Sequence, residues 1–493
     1  MIGNAVVIGG SIAGLAAGIG LARRGWNVTI VERDPTSPVE GGDEAFTAWR
    51  RPGVPQWQQG HTFAARARNL LLEHIPEVLD RLTADGIETL NLFRVMSPPD
   101  QWSDEDEAFG MLWTRRPGFE LALRRTAEAE RRVDLLSPAA VAGVLHDSSG
   151  SRPPRVCGVR LANGHCLEAD LVLDCSGRRT PVPTWLQADL GVVVPEESQS
   201  CDLVYYSRYL RLLPSSELSM MGVLGIGGEL GGLSFAGFTG DHDTFGLSFN
   251  ALPDDTEARS LRHTWAWDAL AAAIPTMAPW VAPENAAPLH DPSVMANFNN
   301  VRRRLVVDGR PITSGLLLVG DALSTTNPQY GWGASMALTG AFAAVVAATE
   351  ATPDEAALAY EQLVGQEVDA VYHESAAADR WRTYRWRNQE IPAWDHEAME
   401  RQSLIAEGLV PGARHDPILG RALLRRMNLL DAPDAALDDS MVRASAERSR
   451  AIIAAKPPRR LGPSRQERSH LLAEANPLSD QETLRRRRHA AGR

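Results

Sequence analysis

AVVIGGSIAGLAAGIGLARRGWNVTIVER, residues 5–33, sets a buried apolar strand (5–8), a glycine turn, a helix and a second apolar strand (27–31) in one run. Two patterns share that local shape, the nucleophile elbow G-x-S-x-G and the dinucleotide turn G-x-G-x-x-G. The elbow needs glycine two residues after its serine, and Ala13 stands there. The dinucleotide pattern matches at Gly9 and Gly14, with the small Ser11 in place of its middle glycine. Gly9 permits the tight turn, a small residue at 11 lets the backbone approach a pyrophosphate, and Gly14 lets helix and strand lie close. Ile12 and Ala13, which open the helix, belong to the same contact set. The second strand ends in Glu32, whose carboxylate can accept from both hydroxyls of an adenosine ribose. An acid there disfavours a 2′-phosphate, so the expected nucleotide is FAD or NAD rather than NADP. A nucleophilic Ser11, or a plain buried turn, is the rival reading of the same residues.

The 493 residues exceed one comfortable core, so two or three structural units are expected. A net charge of -12 argues against non-specific nucleic-acid binding, because a phosphate backbone would be repelled by most of the surface. Cys157, Cys166, Cys175 and Cys201 show no C-x-x-C spacing and no H-E-x-x-H occurs, so no metal site is expected and a reducing cytoplasm fits. The apolar run 5–21 lacks the basic start of a signal peptide and breaks at a glycine turn. No other stretch is expected to span a bilayer. Lys456 is the only lysine among 50 Lys and Arg, which removes any chemistry needing a lysine near the middle of the chain.

Further along, RRPGVPQWQQGHTF (50–63) is a Pro/Gly-broken polar loop, a ligand lip or a solvated connector. Pro117 suits a helix start, with Arg124 about two turns further in. Asn163-Gly164 reads as a hairpin turn and 169–173 as a buried strand. Residues 200–260 alternate like an antiparallel sheet, and GVLGIGGELGG within them fails the phosphate-loop spacing. The chain returns to α/β character with a strand at 316–319 that ends in Gly320-Asp321, a turn, and a helix from Gly333. Beyond 353 the pattern is helical, and from about 457 it is Pro/Arg-rich and reads as a flexible tail.

A second strand, Gly-Asp and glycine-turned helix 300 residues after the first is far more selective than a lone fingerprint. Here the chain resembles the glutathione-reductase-type FAD fold of the flavoprotein monooxygenases, the p-hydroxybenzoate hydroxylase-like class. The matching residues are Gly320, Asp321, Pro328, Gly331 and Gly333. The resemblance implies that Asp321 binds the ribitol chain and that 328–333 lies against the pyrimidine side of the flavin. Helix N–H groups there would stabilise the negative charge of a reduced ring. Within the class the chain looks most like bacterial FAD-dependent epoxidases of polyether biosynthesis, relatives of squalene epoxidase, over roughly residues 4–345. The shared stretches are GVPQWQQGH (53–61), RPGFELALR (116–124), ADLVLDCSGR (169–178), YYSRY (205–209) and VGDALSTTNPQYGWG (319–333). By that resemblance Arg124 contacts the ribityl or phosphate region of FAD, and Arg33 flanks the adenine.

The implied architecture is an α/β, Rossmann-like βαβ FAD-binding domain (1–78, 108–183 and 296–352). An inserted, mainly antiparallel substrate domain (79–107 and 184–295), a C-terminal helical region (353–456) and a tail (457–493) complete it. The implied activity is insertion of one oxygen atom from O2, by way of a flavin C4a-hydroperoxide, into an apolar, natural-product-like small molecule of secondary metabolism, as epoxidase or hydroxylase. His61, Tyr206, Arg208 and Asn327 are the candidate pocket residues. Ser176 replaces the aspartate of the Asp-Gly pair that aromatic hydroxylases link to FAD and NADPH, so reducing equivalents come from NAD(P)H directly or through a separate flavin reductase. Flavin halogenases carry a lysine near substrate and W-x-W-x-I-P, neither of which occurs; WAWDALAAAIP (265–275) has the wrong spacing. The rivals are an FAD-dependent dehydrogenase or reductase, and a flavin- or ligand-binding protein without turnover.

Overall fold

The computed structural model describes residues 3–36, 39–147, 153–455 and 460–477. The chain begins with β1 (Asn4–Ile8), α1 (Ile12–Arg23) and β2 (Asn27–Val31), the last parallel to β1 with Val7 opposite Ile30. Helix α2 (Arg116–Ala129) leads into β3 (Val133–Leu136), parallel to β2, and β4 (Leu171–Asp174) adds to the free edge of β1. The cores of β1 (5–8) and β4 (171–173) are apolar without a break because both faces of a parallel sheet are covered at its centre, while β3, at the edge, carries the exposed Asp134. Alanine and glycine dominate α1 for the same reason: it is buried on nearly every side, and a Cβ at Gly20 would come within 2.7 Å of Val345.

An antiparallel sheet follows, with β5 (Val204–Leu212), β6 (Gly227–Glu229), β7 (Leu233–Thr239) and β8 (Thr244–Ala251) ordered β6-β7-β8-β5. Helix α3 (Thr264–Ala273) covers one face through Trp267, which packs edge-on against Phe249. Short strands β9 (Ala286–Pro288) and β10 (Ser293–Met295) both pair with β5, and the chain then crosses back. Strand β11 (Leu316–Leu318) pairs with β4 and completes the parallel order β11-β4-β1-β2-β3. Connectivity reverses between β1 and β4, so a crevice opens at their C-terminal ends, where ligands bind in open α/β sheets.

Helix α4 (Gly333–Glu350) packs on α1, and the long α5 (Ala356–Arg387) packs on α4. By length and composition α4 could cross a membrane, but 67% of it is buried inside the protein, which makes it a core helix. Helices continue to residue 454. One expectation fails beyond that point. Within the segment read as a tail, α6 (Arg465–Ala475) is a formed helix, opened by a capping box between Ser464 and Glu467. It docks on the antiparallel half through buried Leu472 and through Arg468, which pairs with Glu257 at 2.7 Å. Tail residues 457–459 and 478–493 lie outside the described residues.

Candidate active site

The cleft lies at the reversal of the parallel sheet and extends towards the strands that cross from the antiparallel one. Ser11, Gly320 and Asp321 line it from the parallel-sheet half, and Met295 and Phe298 line it from the segment that leaves the antiparallel sheet. The turn after β1 is built by steric necessity. Gly9 has φ +104°, and a Cβ on Gly14 would lie 1.9 Å from the Gly9 carbonyl oxygen. That closeness sets the start of α1 over the cleft, with Ile12 and Ala13 in its wall. The first-turn N–H groups have no intrahelical acceptor and can bind a phosphate. The N-terminus of α4 reaches the same cleft from the other side through Gly333 and Ala334.

Behind the turn sits a dense ionic network. Glu32 accepts from the Gly10 amide (2.9 Å), the Asp34 amide (2.8 Å) and Arg51 Nη2 (2.9 Å). Arg51 also pairs with Asp34 (3.2 Å) and, by a short contact, with Glu120. The Ser11 hydroxyl donates to Glu120 (2.7 Å) and accepts from Arg116 Nη2 (2.8 Å). Its partners are therefore a carboxylate and a guanidinium, and the one histidine close by, His61, is turned to Arg116 (3.2 Å). Because Arg116 can only donate, His61 Nε2 must accept, which leaves Nδ1–H to donate to the Gln59 carbonyl (2.9 Å). Burial, reinforced by the Arg116 charge, holds the His61 pKa down to about 3, so the ring is neutral. Ser11→Gly is expected to leave FAD content and turnover intact and to cost about 0.5–1.5 kcal/mol for the lost hydrogen bonds. Abolished turnover with flavin retained would restore the nucleophile reading.

Asp321 stands alone. Among the described residues no protein group donates a hydrogen bond to it, and burial pushes its pKa up against the pull of Arg116, Arg178 and Arg303. A carboxylate in a cleft wall without a donor fits a polyhydroxyl chain that would supply donors, as FAD does. The cleft residues are thus compatible with FAD: α1 amides for the pyrophosphate, Asp321 for the ribitol, and the α4 N-terminus for the electron-rich end of the ring.

The expected site residues divide by position. Ser11, Ile12, Ala13, His61, Gly320, Asp321, Pro328, Gly331 and Gly333 all line the cleft. Gly9 and Gly14 form the turn beneath it. Glu32 is behind the turn in the Arg51 network, and Arg33 is exposed, donating to the Gly53 carbonyl at 3.2 Å. Arg124 is not among the cleft-lining residues. It is held by Glu128 (3.1 Å) and Thr36 and lies off the cleft, while Arg116 at the start of the same helix lines it. Tyr206 and Arg208 do not line it either. They point to the α3 side of the sheet, where Tyr206 packs in one apolar cluster with Trp267, and Arg208 lies over the Trp267 ring and pairs with Asp268. Side chains alternate along β5, so Tyr205 takes the other face and reaches Asn327. Asn327 is fully buried and supports the 328–331 turn from beneath, donating to Asp379 at 2.6 Å. Residues not anticipated individually as site residues are Arg116, Arg178, Gln56, Gln59, Met295, Phe298 and Asn299. The Arg-Pro-Gly helix start was the one signal that could have picked out Arg116.

Residues 4–164 match the family described as FAD dependent oxidoreductase. The match covers the dinucleotide-binding start of the chain, from β1 to just short of β4. Over 462 residues the chain is 27% identical to Protein Rv3254 of Mycobacterium tuberculosis, covering 87% of the chain and 90% of the relative. Among solved structures it resembles a mutant of Pseudomonas aeruginosa PqsL, at 15% identity and TM-score 0.58 over 78% of this chain and 98% of the other. PqsL is described as a probable FAD-dependent monooxygenase. The flavin-dependent brominase Bmp2 aligns at 16% identity and TM-score 0.55, covering 92% of this chain and 98% of Bmp2. At these identities the likeness is one of fold: a parallel-sheet FAD-binding half, antiparallel sheets and a helical C-terminal region.

Proposed function

We propose that this FAD-binding chain is a monooxygenase that inserts one oxygen atom from O2 into an apolar, natural-product-like small molecule, as epoxidase or hydroxylase. The observation that carries the reading is one cleft whose parallel-sheet wall suits FAD and whose other wall, Met295 and Phe298, comes from the segment leaving the antiparallel sheet. That sheet is then the substrate half. The overall change takes substrate, O2, two electrons and two protons to oxygenated product and water, with NAD(P)H as the electron source, directly or through a flavin reductase. FAD, when bound, supplies the redox and oxygen-activating chemistry. The chain's residues do the rest. Asp321 and the two helix N-termini fix the cofactor, and Met295 and Phe298 keep water from the reacting face. His61 turns its acceptor nitrogen to Arg116 and its N–H to Gln59, so it orients the 53–62 loop and does not take a proton from substrate. Epoxidation of an alkene, as in the polyether and squalene epoxidases, is the finer form of the proposal, and a cytoplasmic setting goes with it.

The test is ¹⁸O2 turnover by the FAD-loaded protein with a flavin reductase and a panel of apolar alkenes and aromatics. One labelled oxygen per product is expected. Oxidised product without label would make the protein a dehydrogenase, and flavin that never reoxidises in a substrate-linked way would make it a binding protein.

A further inference from the structure

Several buried arginines on or behind the cleft walls are ion-paired. Arg116 meets Glu120 (3.4 Å), Arg302 meets Asp369 (2.8 Å), Arg303 meets Glu196 (2.8 Å) and Arg304 meets Glu197 (3.0 Å). Arg178 is different. It lines the cleft, its Nη1 is buried without a hydrogen-bond partner, and among the described residues no carboxylate forms an ion pair with it. The chain after β4 is shaped to present it there. Asp174 accepts from the Ser176 amide (3.0 Å) and hydroxyl (2.6 Å) and from Thr180, which curls residues 174–180 around one carboxylate. The guanidinium lies over the Phe298 ring, 4.7 Å from its centroid.

A desolvated, unpaired cation is unfavourable and is stabilised by a matching anion. Burial, with the neighbouring Arg179 charge, already pulls the Arg178 pKa below its ordinary value, against the field of Asp321. Stacking on an aromatic face occupies the guanidinium's flat side and leaves its N–H edge free, the edge that grips a carboxylate through two parallel bonds. The ring beneath it comes from the segment that follows β10, which brings Met295 and Phe298 together into the cleft wall. We propose that Arg178 and Phe298 form a subsite for a carboxylate or similarly planar oxyanion carried by an otherwise apolar substrate. The proposal rests on the Met295 and Phe298 side of the cleft being the substrate chamber, and its test reads binding rather than oxygen insertion, so either reading can fail without the other.

The FAD-loaded full chain is titrated with benzoate and with its neutral counterpart benzamide, following the flavin absorbance band. Benzoate is expected to perturb the band at concentrations at least about tenfold below benzamide. Arg178→Gln should weaken benzoate about tenfold or more while leaving FAD content and benzamide binding as they are, and Arg178→Lys should restore part of the loss by charge alone. Three results would each overturn the proposal. They are benzoate binding that is absent or no better than benzamide, an Arg178→Gln protein that binds benzoate like wild type, or variants at 178 that emerge depleted of FAD. The last would mean that the guanidinium serves a cofactor phosphate.

Discussion

Arg51→Leu is expected to destabilise the folded chain by about 3–5 kcal/mol, the cost of breaking a buried ion pair from one side. The Arg51 side chain is 1% exposed and bonds to three carboxylates, Glu32, Asp34 and Glu120, which are themselves 7%, 6% and 0% exposed. Removing the guanidinium strands three negative charges in one place. What remains is partial compensation: the Gly10 and Asp34 amides on Glu32, the Gly53 amide on Asp34, and Ser11 with Arg116 on Glu120. The cluster also anchors the polar loop to the glycine turn, so flavin should be released at lower temperature along with the loss of structure. Thermal unfolding followed by circular dichroism and by flavin fluorescence measures both. Unfolding and release midpoints equal to wild type would show that the three carboxylates need no cation.

Gly14→Val is expected to abolish FAD retention and to cost about 1–3 kcal/mol or more in stability, because the added Cβ meets backbone. The obstructing atom is the Gly9 carbonyl oxygen, 1.9 Å from the position a Cβ would take. A flexible side chain could move aside, whereas this carbonyl is fixed by its own turn, whose amide donates to Val31 at 2.8 Å. The helix must therefore tilt away from the sheet and take its N-terminal amides out of phosphate reach. Gly225→Ala is the control, since a Cβ there meets nothing within 4 Å and the residue does not line the cleft. The valine variant is expected to purify colourless and the alanine variant yellow. A yellow Gly14→Val protein would mean that the helix start is not the phosphate site.

The places where reading by residue pattern misled are instructive. Period-two alternation along 204–212 was legible, but alternation has two phases, and only the packing of α3 decides that Tyr206 and Arg208 look away from the cleft. Arg116 and Arg124 share a helix and nearly a face. Eight residues separate them, about 12 Å of rise, and only the turn's seat over the helix start selects the first. The segment at 464–475 carried a readable capping signal in Ser464 and Glu467, yet its basic, proline-rich flanks suggested a tail. Its order comes from Arg468 and Leu472 finding partners more than 200 residues earlier, contacts that no local window contains.

By itself the sequence determined the βαβ start, the Gly320-Asp321 element and the α/β class with an antiparallel insertion. These are local matters, in which strand burial, turn sterics and helix starts act within a few residues of the atoms that cause them. Cleft-lining residues from Ser11 to Gly333 could also be picked out from the sequence. Only the tertiary structure decided that Ser11 faces Glu120 and Arg116, that Glu32 shares its carboxylate with Arg51, and that Arg178 stands unpaired over Phe298. Charge balance in a cleft depends on which distant segments meet there, and that is settled by packing rather than by neighbours in the chain.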